Sequence, residues 1–168
     1  ISEAFDLENA EKWIVSAEKW TELIVTEFKD VQIAGYYTSS SDHPHPAPVR
    51  KKFWFDNALP AGNSSLMRVF HTLSIIGNNR QRWENEYQEA IGAYVKLSKQ
   101  SPDAVGHALT AITEAETGIV SLQGDQSFIE ASAKSLNAYP HRPVFLHVGE
   151  EKSLQINVNQ IEVPGSSE

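Results

Sequence analysis

The run NSSLMRVFHTLSIIGNNRQRWENEYQEAIGAYVKL, residues 63–97, decides the fold class. Leu66, Val69, Phe70, Leu73 and Ile76 recur at steps of three and four, the spacing of one helix face, in a helix from about Ser64 to Ile76. Asn63 or Ser64 is the expected N-cap, and Gly77 the expected C′ residue at positive φ. Trp83, Tyr87, Ala90, Ile91, Tyr94 and Leu97 mark the next helix, from about Arg80 to Leu97. So short a gap makes the two helices antiparallel neighbours.

Working outward, Ser101-Pro102 is a cap followed by proline at the first helical position. Val105, Ala108, Leu109, Ile112 and Ala115 continue that helix. Upstream, residues 7–28 read as an amphipathic helix through Leu7, Ala10, Trp13, Ile14, Ala17, Trp20, Leu23 or Ile24, and Phe28. Ala10-Glu11-Lys12-Trp13 recurs one heptad later as Ala17-Glu18-Lys19-Trp20, placing both tryptophans on one face. Residues 29–63 are irregular, with Val49 to Phe55 expected to pair with Tyr36-Tyr37 as a hairpin. Past Gly118 the helical period ends, and Ile119 to Leu122 reads as a strand, 126–137 as a helix and Pro143 to Val148 as a parallel strand. Ser153 to Val158 alternates like a final strand. The expected fold is mainly α: antiparallel helical hairpins over 1–116, a small strand–helix–strand unit over 117–160, and a tail over 161–168.

Composition narrows the partners. A chain of 168 residues can bury one real core. Its formal net charge of -8 disfavours nucleic acid and anionic membrane surfaces, which need clustered cations. With no cysteine, disulfides, thiolate metal sites and thiol catalysis are excluded. Zero cysteines leaves the compartment open, with the cytoplasm favoured. No apolar run approaches the roughly 20 residues of a membrane span. The N-terminus is acidic, unlike a signal peptide, and starts at Ile1 without an initiator Met, as expected of a fragment or processed product.

Chemistry concentrates in Arg50-Lys51-Lys52-Phe53-Trp54-Phe55-Asp56-Asn57-Ala58-Leu59-Pro60-Ala61-Gly62-Asn63-Ser64, directly ahead of a helix. A helix N-terminus attracts anions, and Asp56 is a candidate acid, base or hydroxyl acceptor that Arg50 or Lys52 would orient. Arg50, Lys52, Asp56, Asn63 and Ser64 are therefore the candidate site for a carbohydrate or other small polar ligand. The competing reading is a capped helix, with Asp56 paired to Lys52 or Arg50. No metal or cofactor is expected, since His43-x-His45 offers too few ligands. Glu84, Glu86 and Glu89 read as a solvated helix surface, not the facing acid pair of a glycosidase. His71 reads as a helix-face residue, and Trp83, Tyr87 and Tyr94 as core.

The segment 50–64 resembles the C-terminal part of the spermatogenesis-associated protein 20 family. Val49, Arg50, Lys52, Asp56, Ala58, Pro60, Gly62, Asn63 and Ser64 stand at matching positions. Phe28, Gly35-Tyr36-Tyr37, Ile76-Gly77, the Gly118 to Asp125 strand and turn, and Tyr139-Pro140 to Leu146 also resemble family stretches. The resemblance implies helical hairpins from one arc of an α/α toroid, related to six-hairpin glycosidases. It also implies the remainder of a larger chain, or another subunit, as partner, because so few helices cannot close a six-hairpin ring. In the family that larger chain carries an N-terminal thioredoxin-like domain. Leu59 stands where the family has an acid and Ala61 where it has serine, so whether this chain is an enzyme is left open.

Overall fold

The computed structural model describes residues 10–42, 49–117, 119–125, 127–128, 131, 144–148 and 153–157. The chain divides into two compact units, Glu11–Ile112 and Thr113–Glu168 with Ile1–Ala10. Helices dominate, as expected: α1 (Ala10–Phe28), α2 (Gly62–Ile76), α3 (Arg80–Ser98) and α4 (Gly106–Thr117).

Helices α2 and α3 form the core of the first unit. Three residues join them. Phe70 stacks on Trp83 at 6.2 Å and His71 lies 4.9 Å from Tyr87. The hydroxyl of Tyr94, near the end of α3, donates to the Trp54 carbonyl, just ahead of α2, at 3.2 Å. Residues early in one helix meet residues late in the other, so the hairpin is antiparallel. Met67, Phe70, Tyr87 and Tyr94 are fully buried. Each contributes about 1.5–3 kcal/mol of hydrophobic burial. The Trp83, Tyr87, Ile91 and Tyr94 stripe of α3 is core, as its spacing suggests.

Two helix faces differ from the sequence reading. On α2 the buried side is Asn63, Ser64, Met67, Phe70, His71, Leu73 and Ile75, while Val69 is 39% exposed. The polar residues Asn63 and Ser64 join the core because they bond to other segments of the chain. His71 is buried on that same face. On α1, Trp13 and Trp20 are 45% and 61% exposed, and the buried positions are Thr21 and Val25. That rotation is set by Glu18, whose carboxylate takes the indole N–H of Trp83 at 2.8 Å.

Gly77 corrects another expectation. Its φ is -73°, so positive φ is not why glycine stands there. A Cβ at this position would lie 2.5 Å from the Leu73 carbonyl oxygen and 2.8 Å from Glu18 Oε1. Among the described residues, Gly35 is the glycine at positive φ, and a Cβ there would run into the Trp54 ring. The expected single helix after Ser101 also divides. A 3₁₀ turn, Pro102–Ala104, precedes a break at Val105, and α4 begins at Gly106. The expected hairpin between Tyr36-Tyr37 and Val49–Phe55 is absent among the described residues. Tyr36 forms an isolated antiparallel bridge with Lys29 instead. One backbone bond, Thr38 N–H to Lys51 C=O, links the two segments.

The second unit holds β1 (Ile119–Gly124), β2 (Val144–Val148) and β3 (Ser153–Asn157) in the order β2-β1-β3. Strand β1 runs parallel to β2, Val120 opposite Val144, and antiparallel to β3, Val120 opposite Ile156. Between β1 and β2 only Ser127, Phe128 and Ala131 are described as helical. The complete strand–helix–strand unit is therefore not seen among the described residues.

Two outcomes follow from the first unit. Gly77→Ala will lower stability by about 1–3 kcal/mol, measured by urea unfolding, because backbone must move to admit the methyl. Burial lowers the pKa of His71 to about 4, against a weaker opposing pull from Glu84. Folded His71 thus holds its proton less readily than unfolded His71, so the unfolded chain binds more protons between about 4 and 6.5. The associated stability is present above pH 6.5 and falls by up to about 3 kcal/mol as pH drops to 4. His71→Phe will flatten this part of the urea-midpoint profile.

Candidate functional site

Exposure alternates along residues 49–56. Val49, Lys51, Phe53 and Phe55 face outward, while Arg50, Lys52, Trp54 and Asp56 are turned partly inward. The alternation brings the candidate cations and the candidate carboxylate to the same side of the segment.

Arg50 donates from Nε and Nη2 to the Ser39 carbonyl at 3.1 and 2.7 Å, and from Nη2 to the Glu27 carbonyl at 2.8 Å. Glu27 sits in the last turn of α1, where carbonyls lack helical partners. The guanidinium also lies 4.1 Å above the Tyr37 ring. Lys52 donates to the carbonyls of Ile33 and Ala34 at 2.7 and 2.9 Å and pairs with Asp30 at 2.8 Å. Three acceptors match the three protons of its ammonium group. The Lys52 ammonium first, and the Tyr37 hydroxyl second, hold the Asp30 carboxyl well below the usual carboxylate range.

Asp56 does not pair with either cation. Its Oδ1 accepts from the Ala61 N–H at 2.8 Å and the Ser64 hydroxyl at 3.1 Å. Its Oδ2 accepts from the His107 N–H at 2.8 Å. Ala61 is the N-cap of α2 and makes no side-chain cap of its own; His107 lies in the first turn of α4. One carboxylate therefore caps two helices, and negative charge at both starts suits their dipoles. Burial pushes the Asp56 pKa up, but the amides of Ala61 and His107 and the Ser64 hydroxyl outweigh it and leave it lowered. The amide of Asp56 itself donates to the Ala104 carbonyl at 2.7 Å, tying the 3₁₀ turn to the same point.

Asn63 is neither the N-cap nor open to solvent. Its Oδ1 accepts from the Tyr36 N–H at 2.8 Å, and its Nδ2 donates to the carbonyls of Tyr36 and Phe53 at 3.0 Å each. The side-chain amide thus fills the gap that a Tyr36–Phe53 strand pairing would have closed. Beside it, a cavity of about 10 Å³ has room for about one water. Asp56, Asn63 and Ser64 converge at the start of α2, whereas Arg50 and Lys52 fasten the 27–39 segment.

Sequence reasoning passed over two sets of residues. Glu18 accepts from the amides of Asn78 and Asn79 at 2.9 and 3.0 Å, capping α3 from sixty residues away in the chain. Burial raises its pKa, and these bonds with that of Trp83 overcome the effect and lower it. Glu86, expected on a solvated surface, is buried. Its Oε2 accepts from Lys29 at 2.6 Å and from the Tyr36 hydroxyl at 2.7 Å, while Lys29 also reaches Glu89 at 2.8 Å. Burial first, then the bond to Glu86, pushes the Tyr36 hydroxyl far above its usual range. No local pattern announces either set, because the partners are distant in sequence.

Glu86 and Glu89 line a cleft of about 570 Å³ with Val25, Lys29, Val31 and Ile33. The described residues hold no group of three His, Cys, Asp or Glu placed to bind a metal; His43 and His45 lie outside them. No described helix is long and apolar enough to cross a membrane. No family model, curated protein or solved structure matches the chain.

Asp56→Ala will remove the caps of two helices at once. The expected loss is about 2–3 kcal/mol of stability, at about 1 kcal/mol per cap plus the unmet amides. Asn57→Ala, beside it, removes only the bond that the Ala58 N–H donates to Asn57 Oδ1 and will change urea stability by less than about 0.5 kcal/mol.

Proposed function

We propose that this chain is a non-catalytic structural and interaction domain from the C-terminal part of a multidomain protein. In this reading the Asp56–Ser64 segment caps helices and binds no ligand. The observation that carries it is the saturation of the motif. Arg50, Lys52, Asp56 and Asn63 spend their polar groups on backbone atoms or carboxylates of the same unit. A sugar at this place would have to break several of these bonds, and the space beside Asn63 admits little more than one water.

Support for the interaction role comes from exposed apolar side chains. Phe53, Phe55 and Leu59 are 59%, 50% and 78% exposed on the outer side of the motif. Clustered exposure of this kind marks contact surfaces. The resemblance of residues 49–64 to the spermatogenesis-associated protein 20 family supports a partner consisting of the remainder of a larger chain or another subunit. It likewise supports reading the α2–α3 hairpin as part of an α/α-toroid arc.

A panel of mono- and disaccharides, tested by ligand-observed saturation-transfer NMR, separates this reading from a ligand site at the motif. We expect no saturable binding by the wild type, and lowered urea midpoints for Arg50→Ala and Lys52→Ala. Saturable sugar binding that vanishes in Lys52→Ala, at a temperature where that variant remains folded, would sink the proposal.

A further inference from the structure

We propose that Asn63 is a concealed acceptor site for an N-linked glycan, and that the glycan and this fold exclude each other. Asn63-Ser64-Ser65 is the only Asn-x-Ser/Thr triplet in the chain. Such a triplet ordinarily marks an exposed loop, where the asparagine can reach the transferring enzyme and the sugar can stay in water. Here it opens α2, and Asn63 is only 6% exposed. The concealment is independent of whether the 50–64 motif binds a ligand.

Glycan transfer alters the atom that fastens two segments together. Asn63 Nδ2 would attack the anomeric carbon of an oligosaccharide carried on a lipid pyrophosphate. The Nδ2–carbon bond forms, the carbon–oxygen bond to the pyrophosphate breaks with its electron pair leaving on that oxygen, and Nδ2 gives up one proton. In the folded chain both Nδ2 protons are in use. They go to the carbonyls of Tyr36 and Phe53 at 3.0 Å each, while Oδ1 takes the Tyr36 N–H at 2.8 Å. A substituted amide keeps one proton, so one carbonyl loses its donor inside the protein, the costly way to lose a hydrogen bond.

Space is the second obstacle. The cavity beside Asn63 measures about 10 Å³, and a Cβ placed on Gly35 would already stand 3.1 Å from Asn63 Oδ1. Room for one water does not admit a sugar ring. Nor can the side chain swing outward to carry the sugar without releasing Tyr36. The Tyr36 ring lies 5.6 Å from Phe70 and its hydroxyl donates to Glu86 at 2.7 Å, so that release would open the packing around the α2–α3 hairpin.

Timing therefore decides the outcome. The acceptor is accessible only before Tyr36, Phe53 and α2 come together. Modification first leaves a chain that cannot close around Asn63, and folding first hides the site. In a cell that attaches N-linked glycans, a chain folded as described gains its structure away from the transferring enzyme.

The test has two arms. In the first, the full chain is translated behind a secretion leader into glycosylating microsomes, beside Ser65→Ala and beside wild type treated with tunicamycin. The Ser65 hydroxyl bonds none of the described residues, so Ser65→Ala removes the triplet and leaves every bond of Asn63 in place. Glycosylated wild type is expected to be cut by trypsin at least about tenfold faster than Ser65→Ala or the tunicamycin-treated chain, because the open form is what the protease cuts. In the second arm, purified oligosaccharyltransferase and its lipid-linked donor are offered the folded full chain and a synthetic peptide of residues 53–68. The peptide is expected to accept the sugar and the folded chain to refuse it. Equal trypsin resistance of glycosylated wild type and Ser65→Ala, transfer onto the folded chain, or refusal by the peptide would each overturn the proposal.

Discussion

The Glu11–Ile112 unit depends on two carboxylates, Asp56 and Glu18, that cap helices, α3 and α4 from far away in the chain and α2 from five residues before its N-cap. Ala61, Asn79 and Ser101 stand at helix starts and make no side-chain cap of their own. Asp56 supplies the start of α2 and of α4, and Glu18 supplies the start of α3. Each such bond satisfies an orphan amide and also fixes where a separate segment lies. The caps of α3 and α4 are therefore also tertiary contacts.

Around those fixed points the α2–α3 hairpin supplies the burial. Phe70, Trp83, Tyr87 and Tyr94 interleave across it, and Tyr36 lies 5.6 Å from Phe70. Tyr36 also couples this core to charge, because its hydroxyl bonds Glu86 and Glu86 bonds Lys29. A buried glutamate tolerates this place only because two donors reach it.

The periodic parts of the chain were legible. Steps of three and four placed α2 and α3 within two residues of their observed ends, and the aromatic stripe of α3 was read as core. Periodicity failed where it relied on hydrophobicity to orient a helix. The heptad Trp13 and Trp20 suggested the packed face of α1, yet Glu18 turns that helix and leaves both tryptophans exposed. Likewise Gly77 looked like a left-handed cap, whereas the crowding of Leu73 and Glu18 requires it. The candidate motif was found as a cluster, but its pairings were not. Lys52 or Arg50 was expected to meet Asp56, whereas Lys52 meets Asp30 and Arg50 meets the carbonyls of Ser39 and Glu27.

By itself, the sequence determined a mainly helical chain, the extent of its central hairpin, the aromatic content of its core and the exclusion of thiol chemistry. Those properties follow from local spacing and composition, which act over a few residues. Tertiary structure alone decided which carboxylate meets which donor, and so which polar residues remain open to a ligand. Hydrogen bonds and ion pairs act at about 3 Å and are indifferent to sequence separation, so Lys29 with Glu86, or Asp56 with His107, become visible only once the chain has folded.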